Sequence, residues 1–178
     1  LPMIEQAGFT KKRGATMVWG TDSQPWSWYF SETNRTYPHA YQVWRPTFDK
    51  ILLDNARAAG VDVQEGRRVT GVDLNAPATP SVEVATANMT STCAARFVVD
   101  ARGQTGLIGP AHNLRSYDSD FRNLAVYAYY DGADHLAKPD DGNIFIESYA
   151  DGWFWIIPLA GGRSSVGAVV DSESGQRG

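Results

Sequence analysis

Short runs of alternating apolar and polar residues dominate the chain, and one run keeps a helical period. Over 46–59, Phe48, Ile51, Leu52, Asn55, Ala56 and Ala59 fall at helical spacing. Pro46 suits the first turn of that helix and Gly60 its stop. Residues 1–9 read as the end of a helix closed near Gly8. Strands are predicted over 15–19, over 26–30, where Trp26, Trp28 and Phe30 alternate with Ser27 and Tyr29, and over 61–63 and 69–74. The run 81–85 alternates as a hairpin partner would. The run 94–100 ends in nearly continuous apolar residues, as expected of a strand buried on both faces. Turns or loops separate these runs at 21–25, 31–38, 75–80 and 103–109.

The character of the pattern changes near 110–120. Beyond it, 124–130, 143–148, 153–158 and 164–170 read as four strands with turn signals between them, a mostly antiparallel sheet carrying long aromatic side chains. Within the third of these, Trp153 and Trp155 alternate with Phe154 and Ile156, so both indoles project from one face. Pro158 ends the ladder because it has no N–H to donate. Two neighbouring indoles form a rigid flat surface, which serves either as packing beside a core or as the wall of a cavity.

The composition leaves this picture of a globular domain intact. The chain has 178 residues, 43% of them hydrophobic and 20% charged, with a formal net charge of −4. Basic runs are limited to Lys11-Lys12-Arg13 and Arg67-Arg68, which argues against a nucleic-acid partner. No apolar stretch approaches a membrane span, and the first residues do not form a signal peptide. Cys93 is the only cysteine, which fits a reducing, cytoplasmic setting. The histidines His39, His112 and His135 are scattered, so no metal site is expected. The chain starts without Met and reads as an internal piece of a longer protein.

Three places could carry chemistry. Lys12 stands in Thr10-Lys11-Lys12-Arg13-Gly14. A lysine among cations is ordinarily solvated, but one that is buried can have its charge tuned for reaction. Asp100 closes the apolar run and precedes Arg102-Gly103-Gln104-Thr105-Gly106, a carboxylate and glycine turn at the position where α/β sheets bind ligands. Small residues there let the backbone approach a cofactor, and free N–H groups can face phosphates; an ordinary strand–turn has the same pattern. Arg45 opens the helix, either as a solvated side chain or as a guanidinium for an anion.

The order of residues in these places carries a resemblance. Trp153-x-Trp155-x-Ile157-Pro158 matches the W-x-W-x-I-P pattern of the flavin-dependent halogenases at every specified position. Lys12-Arg13-Gly14 resembles the lysine-x-glycine that, in that family, lies at the end of a tunnel from the flavin. The segment 100–107 is similar to the family's D-A-S-G-x-S/T-G-L, with Arg102 where serine is commoner. Arg45-x-x-Phe48-Asp49-x-x-Leu52 resembles a helix opening shared by many related flavoproteins. The resemblance implies an α/β fold, part of an FAD-binding fold of the GR2, p-hydroxybenzoate-hydroxylase-like type, with a mostly antiparallel substrate-side sheet. Residues 1–115 would belong to the FAD-binding domain, with 15–30 joining the substrate-side sheet formed by 116–178. The family's G-x-G-x-x-G turn would precede residue 1.

By the same resemblance the cofactor is FAD, used as FADH2 from a separate flavin reductase, with halide and O2 as co-substrates. Flavin hydroperoxide and hypohalous acid would carry the halogen to an electron-rich aromatic small molecule. Lys12 would be catalytic, and the cations Lys11 and Arg13 beside it would lower its pKa if they are close in space. Arg45, the Val69 backbone, Asp100, Gly103 and Gly106 would bind the cofactor. Trp153, Trp155 and Pro158 would separate flavin from substrate. The segments 121–127 and 143–148 are closer to halogenases of pyrrole, phenol and substrates tethered to an acyl carrier protein than to free-tryptophan enzymes. A flavoprotein hydroxylase, a geranylgeranyl-reductase-like oxidoreductase, and an inactive flavoprotein-derived binding module remain the alternatives.

Overall fold

The computed structural model describes residues 2–21, 24–75, 79–118 and 122–171. In chain order its helices and strands are α1 (Pro2–Gln6), β1 (Thr10–Lys12), β2 (Gly14–Val18), β3 (Trp26–Tyr29), α2 (Phe30–Thr33), β4 (Ala40–Gln42), α3 (Arg45–Ala58), β5 (Arg68–Asp73), β6 (Ser81–Ala85), β7 (Thr90–Ala94), α4 (Ile108–Ala111), β8 (Asn123–Asp131), β9 (Ile144–Tyr149), β10 (Gly152–Pro158) and β11 (Arg163–Asp171). The described residues of 1–59 and 121–178 form one compact unit, and those of 60–120 form another. These units do not coincide with a division at residue 115.

The first unit is built on a six-stranded sheet in the order β3-β2-β9-β10-β11-β8. Every pairing is antiparallel except β2 with β9. The four strands expected beyond residue 120 are all present, and β2 and β3 extend their sheet. Residue 121, which opens the aromatic segment noted in the sequence, lies outside the described residues. A two-stranded ribbon pairs β1 with β4, Lys12 standing opposite Ala40. These three-residue strands are too short to leave a period in the sequence. Phe30 leaves the predicted strand to begin α2. The ring of Phe9 meets Phe48 of α3 at 6.2 Å, and Ile4, Phe9, Ala15 and Leu159 are buried.

The second unit holds the antiparallel sheet β5-β6-β7, with a register shift between Val69 and Gly71. The strands expected over 69–74 and 81–85 are β5 and β6. Two expectations fail. Residues 61–63 form no strand, and neither does the apolar run that ends at Asp100. Among the described residues, 96–100 has no ladder partner, so its N–H and C=O groups cannot build a strand. Nor is the run buried on both faces: Phe97 and Val99 are 85% and 86% exposed, whereas Val98 and Asp100 are half-buried.

Candidate active site

Lys12 is set apart from its neighbours by the strand that carries it. Successive side chains point to opposite sides of a strand, and here Lys11 and Arg13 are exposed while Lys12 is half-buried. Its Nζ lies 5.8 Å from the centroid of the Phe30 ring, which meets Trp28 edge-on at 5.3 Å. Burial pushes the Lys12 ammonium below its ordinary pKa. The flanking cations, expected to do this, are not the cause, because alternation sends them to the other side. No hydrogen bond or ion pair reaches the ammonium among the described residues. Gly14 completes the lysine-x-glycine pattern for a steric reason: a Cβ there would collide with the Trp28 carbonyl on the paired strand.

Trp153 and Trp155 share a face of β10, as the alternation requires, with ring centroids 5.7 Å apart. Both are half-buried. Trp155 stands opposite Gly167 on β11, and its six-membered ring occupies the space that a Cβ at Gly167 would need. Its Nε1–H donates to Ser165 Oγ at 3.3 Å. The rings continue across the sheet through Tyr127, 6.4 Å from Trp155, and Tyr129, 5.9 Å from Tyr127, to Trp44, 4.6 Å from Tyr129. Arg163 lies over the Trp44 ring at 4.4 Å. Tyr127 is 59% exposed, so this aromatic face is not a closed core among the described residues. Pro158 is buried opposite Ser164, and β10 ends there.

In the second unit, Asp100 turns into its own loop. Its Oδ2 accepts the N–H groups of Leu107 at 2.6 Å and Ile108 at 2.9 Å, and its Oδ1 accepts that of Arg102 at 3.3 Å. The Ile108 bond, with those from Arg102 and Leu107 and the Arg102 charge, holds the carboxyl below the ordinary carboxylate range. The N–H groups expected to be free for phosphates are therefore partly engaged. Gly106 is required by this arrangement, since a Cβ would stand 2.8 Å from Asp100 Oδ2. Arg102 donates to the Val69 carbonyl at 3.4 Å, so part of the backbone expected to contact the cofactor already has a partner. Arg115 donates to the carbonyls of Gly103 and Gln104.

Two hollows flank this loop. One of about 330 Å3 is lined by valines 69, 72, 82, 98 and 99 with Asp100, Ala101, Arg102 and Leu107. The other, of about 430 Å3, is lined by Val98, Val99, Asp100, Gly103, Gly106, Ile108, Gly109 and Arg115. Val69, Asp100, Gly103 and Gly106 thus gather at one place. Gly103 and Gly109 have open space where side chains would stand, which suits close approach of a large flat cofactor. Arg45 belongs to the other unit. Its Nε and Nη2 each bond a carboxylate oxygen of Asp49 at 3.1 Å, and its side chain is 69% exposed. An anion would have to share that guanidinium with Asp49.

The sequence did not point to Phe30 beside Lys12, to Gly167 beneath Trp155, or to Arg115. Only Gly167 carried a signal, as a glycine inside a strand pattern. Among the described residues no group of His, Cys, Asp and Glu could hold a metal, and no helix is long and apolar enough to cross a membrane.

Residues 24–177 match the family described as tryptophan halogenase. The chain is 31% identical over 173 residues to a tryptophan 2-halogenase of Chondromyces crocatus, covering 96% of this chain and 32% of that protein. It is 30% identical over 140 residues to a 1H-pyrrole-2-carbonyl-[peptidyl-carrier protein] chlorinase of Pseudomonas fluorescens, covering 75% of this chain and 31% of that one. The crystal structure of the myxobacterial chondrochloren halogenase CndH superposes with a TM-score of 0.91 at 37% identity, covering 99% of this chain and 41% of that one. The chain spans about a third of the length of the curated relatives it matches. The α/β fold is that of the FAD-dependent halogenases, and the chain belongs to the tryptophan halogenase family of flavin-dependent halogenases.

Proposed function

We propose that this chain carries the halogenating lysine and the aromatic wall of an enzyme that installs a halogen on an electron-rich aromatic ring. The observation that carries the proposal is Lys12, a half-buried ammonium without a partner among the described residues, held beside Phe30 and lowered in pKa by burial. A desolvated ammonium is a strong hydrogen-bond donor that can also give up its proton. Donating to the oxygen of hypohalous acid, it makes the halogen more electrophilic. The ring carbon forms the carbon–halogen bond, the oxygen leaves as water, and the ring proton is lost.

Bound FAD, delivered reduced by a separate flavin reductase, would supply the oxygen activation that turns halide into hypohalous acid. Val69, Asp100, Gly103 and Gly106 would hold it, Asp100 by shaping the loop rather than by direct contact, and Arg45 would assist at an anionic group. Residues 60–120 would serve the cofactor and the six-stranded sheet the substrate. Trp153 and Trp155, closed by Pro158, would keep hypohalous acid from water. The substrate class we favour is a pyrrole or phenol, free or tethered to an acyl carrier protein, in a cytoplasmic enzyme. The carrier-linked substrate in the name of one relative supports this reading, whereas the name of another is that of a tryptophan 2-halogenase.

The test is a product assay with the complete protein, FAD, a flavin reductase, oxygen and chloride or bromide. A panel of pyrroles, phenols, tryptophan and carrier-tethered pyrrole is scanned for the mass of a halogenated product. Halogenated pyrrole or phenol is expected. Hydroxylated product, or peroxide without any halogenated product, would overturn the reading.

A further inference from the structure

With no group bonding its ammonium among the described residues, Lys12 takes its position from its strand, and a loop more than a hundred residues away grips that strand. Gly142 lies directly on the carbonyl of Lys11, and a Cβ there would run into that oxygen. From β4, Gln42 donates through Nε2 to the Gly142 carbonyl at 2.9 Å, while standing opposite Thr10 of β1. The backbone of 142 is thereby fixed against both strands of the ribbon that carries Lys12.

The same loop holds the strands that follow. Asp140 accepts the Ser27 hydroxyl at Oδ2, 2.9 Å, and both the Tyr29 hydroxyl, 2.7 Å, and the Asn143 Nδ2–H, 2.9 Å, at Oδ1. Ser27 gives its proton to Asp140, so Thr16 on β2 donates to Ser27 across 2.9 Å. Tyr29 is the register partner of Gly14, and the Phe30 N–H donates to the Arg13 carbonyl at 2.9 Å. The Asn143 N–H closes the turn on the Asp140 carbonyl at 2.8 Å. The hydrogen bond to Asp140 also raises the Tyr29 phenol above its ordinary pKa, as expected beside an ionised carboxylate. Bonds to a charged acceptor are the strong ones, and linked bonds reinforce one another. Residue 11 is thus tied directly to residues 140–143, residue 14 through Tyr29, and residue 13 through Phe30 and Tyr29.

We propose that Asp140 and Gly142 are positioning residues for Lys12, fixing its ammonium beside Phe30 through the backbone of residues 11–14. The proposal rests on the role of Lys12 given above. Neither residue touches the reacting atoms in this account. A merely structural role would lower stability and cofactor binding together. A positioning role moves the ammonium and uncouples hypohalous acid from product while FAD binding persists.

The complete enzyme is reductively methylated with 13C-formaldehyde, and the dimethyl-Lys12 signal is assigned by its loss in Lys12→Ala. Its chemical shift reports proximity to the Phe30 ring whether or not the enzyme turns over, and Phe30→Ala gives the shift without the ring. In Gly142→Ala and Asp140→Asn the signal should move toward the Phe30→Ala position. Halogenated product per FADH2 should fall tenfold or more, trapped hypohalous acid should rise, and FAD binding should remain. Asp140→Glu should recover part of the yield. A Lys12 signal unmoved in these variants, or product loss that merely follows loss of FAD binding, would overturn the proposal. If Gly142→Ala does not fold, Tyr29→Phe decides, because it removes one hydroxyl and keeps the ring; an unmoved signal there overturns it as well. Wild-type product yield from Lys12→Ala would overturn the role of Lys12, while the Lys12 signal still decides whether the loop positions it.

Discussion

Lys12 and Asp100 are both charged groups, one in each unit, and their surroundings are opposite. Asp100 has three backbone N–H donors and is lowered in pKa chiefly by the bond from Ile108. Lys12 has no bonding partner among the described residues and is lowered by burial. A carboxylate saturated by its own loop holds that loop in shape. A half-buried ammonium without a partner is costly to keep and free to react. Their pH dependence differs accordingly. Asp100 binds its proton less readily in the folded state, so its stabilisation is present above the ordinary value of about 3.9 and is lost as pH falls through the lowered one. Lys12 also has a lowered folded pKa, but through a cost. That cost is present at neutral pH and is relieved as pH rises from the lowered value toward the ordinary value of about 10.4.

Five substitutions in the complete enzyme sharpen or break this contrast. The largest effect is expected from Lys12→Arg. A guanidinium stays charged and presents its donors in a planar fork, so halogenated product should fall roughly a hundredfold or more, the scale of a positioned proton donor. FAD binding, followed by fluorescence, should stay near wild type. Substantial activity in Lys12→Arg would mean that a fixed positive charge suffices.

The aromatic wall comes next. If Trp155 were plain core, Trp155→Ala would cost about 3–5 kcal/mol of stability. A half-buried ring beside an exposed Tyr127 should cost less and should release hypohalous acid to a trap in solution. Gly167→Ala displaces the same ring without deleting it, at about 1–3 kcal/mol of overpacking, and should leak as well. Thermal melts run beside the trap assay separate a wall from packing.

Asp100→Asn keeps the shape but turns one charged acceptor into a donor that faces N–H groups. FAD affinity and melting temperature should both drop modestly at neutral pH. The difference from wild type should shrink as pH falls through the ordinary carboxylate value toward the lowered one, where folded Asp100 becomes protonated. A difference that grows on acidification would contradict the role assigned to its charge. The smallest effect is Lys12→Met, which removes the buried charge and keeps the stem. Its melting temperature at pH 7 should rise by roughly 1–3 °C, and a clear fall would show that the ammonium is a structural contact.

The sheet was legible in the sequence because β9, β10 and β11 each have ladder partners on both sides, so alternation, register and pleat agree. The run ending at Asp100 is nearly continuous in apolar residues and forms no strand, because a strand also needs ladder partners and 96–100 has none among the described residues. The lysine-x-glycine spacing selected Lys12 over Lys11, and burial supports that choice. Its pKa is lowered by burial and not by the neighbouring cations, since neighbours in sequence lie on opposite sides of a strand. Arg102 and the Asp140 network could not be read at all: Arg102 reaches Val69 across 33 residues, and Asp140 meets Tyr29 across 111. No local spacing encodes such contacts.

The most direct test compares Lys12→Ala with Lys11→Ala in the complete enzyme, measuring halogenated product per FADH2 oxidised. The two lysines are adjacent, and only one is half-buried. Lys12→Ala should bind FAD and consume oxygen nearly as wild type does, yet form almost no halogenated product, while Lys11→Ala keeps most of its yield. Comparable yields from wild type and Lys12→Ala would contradict the account.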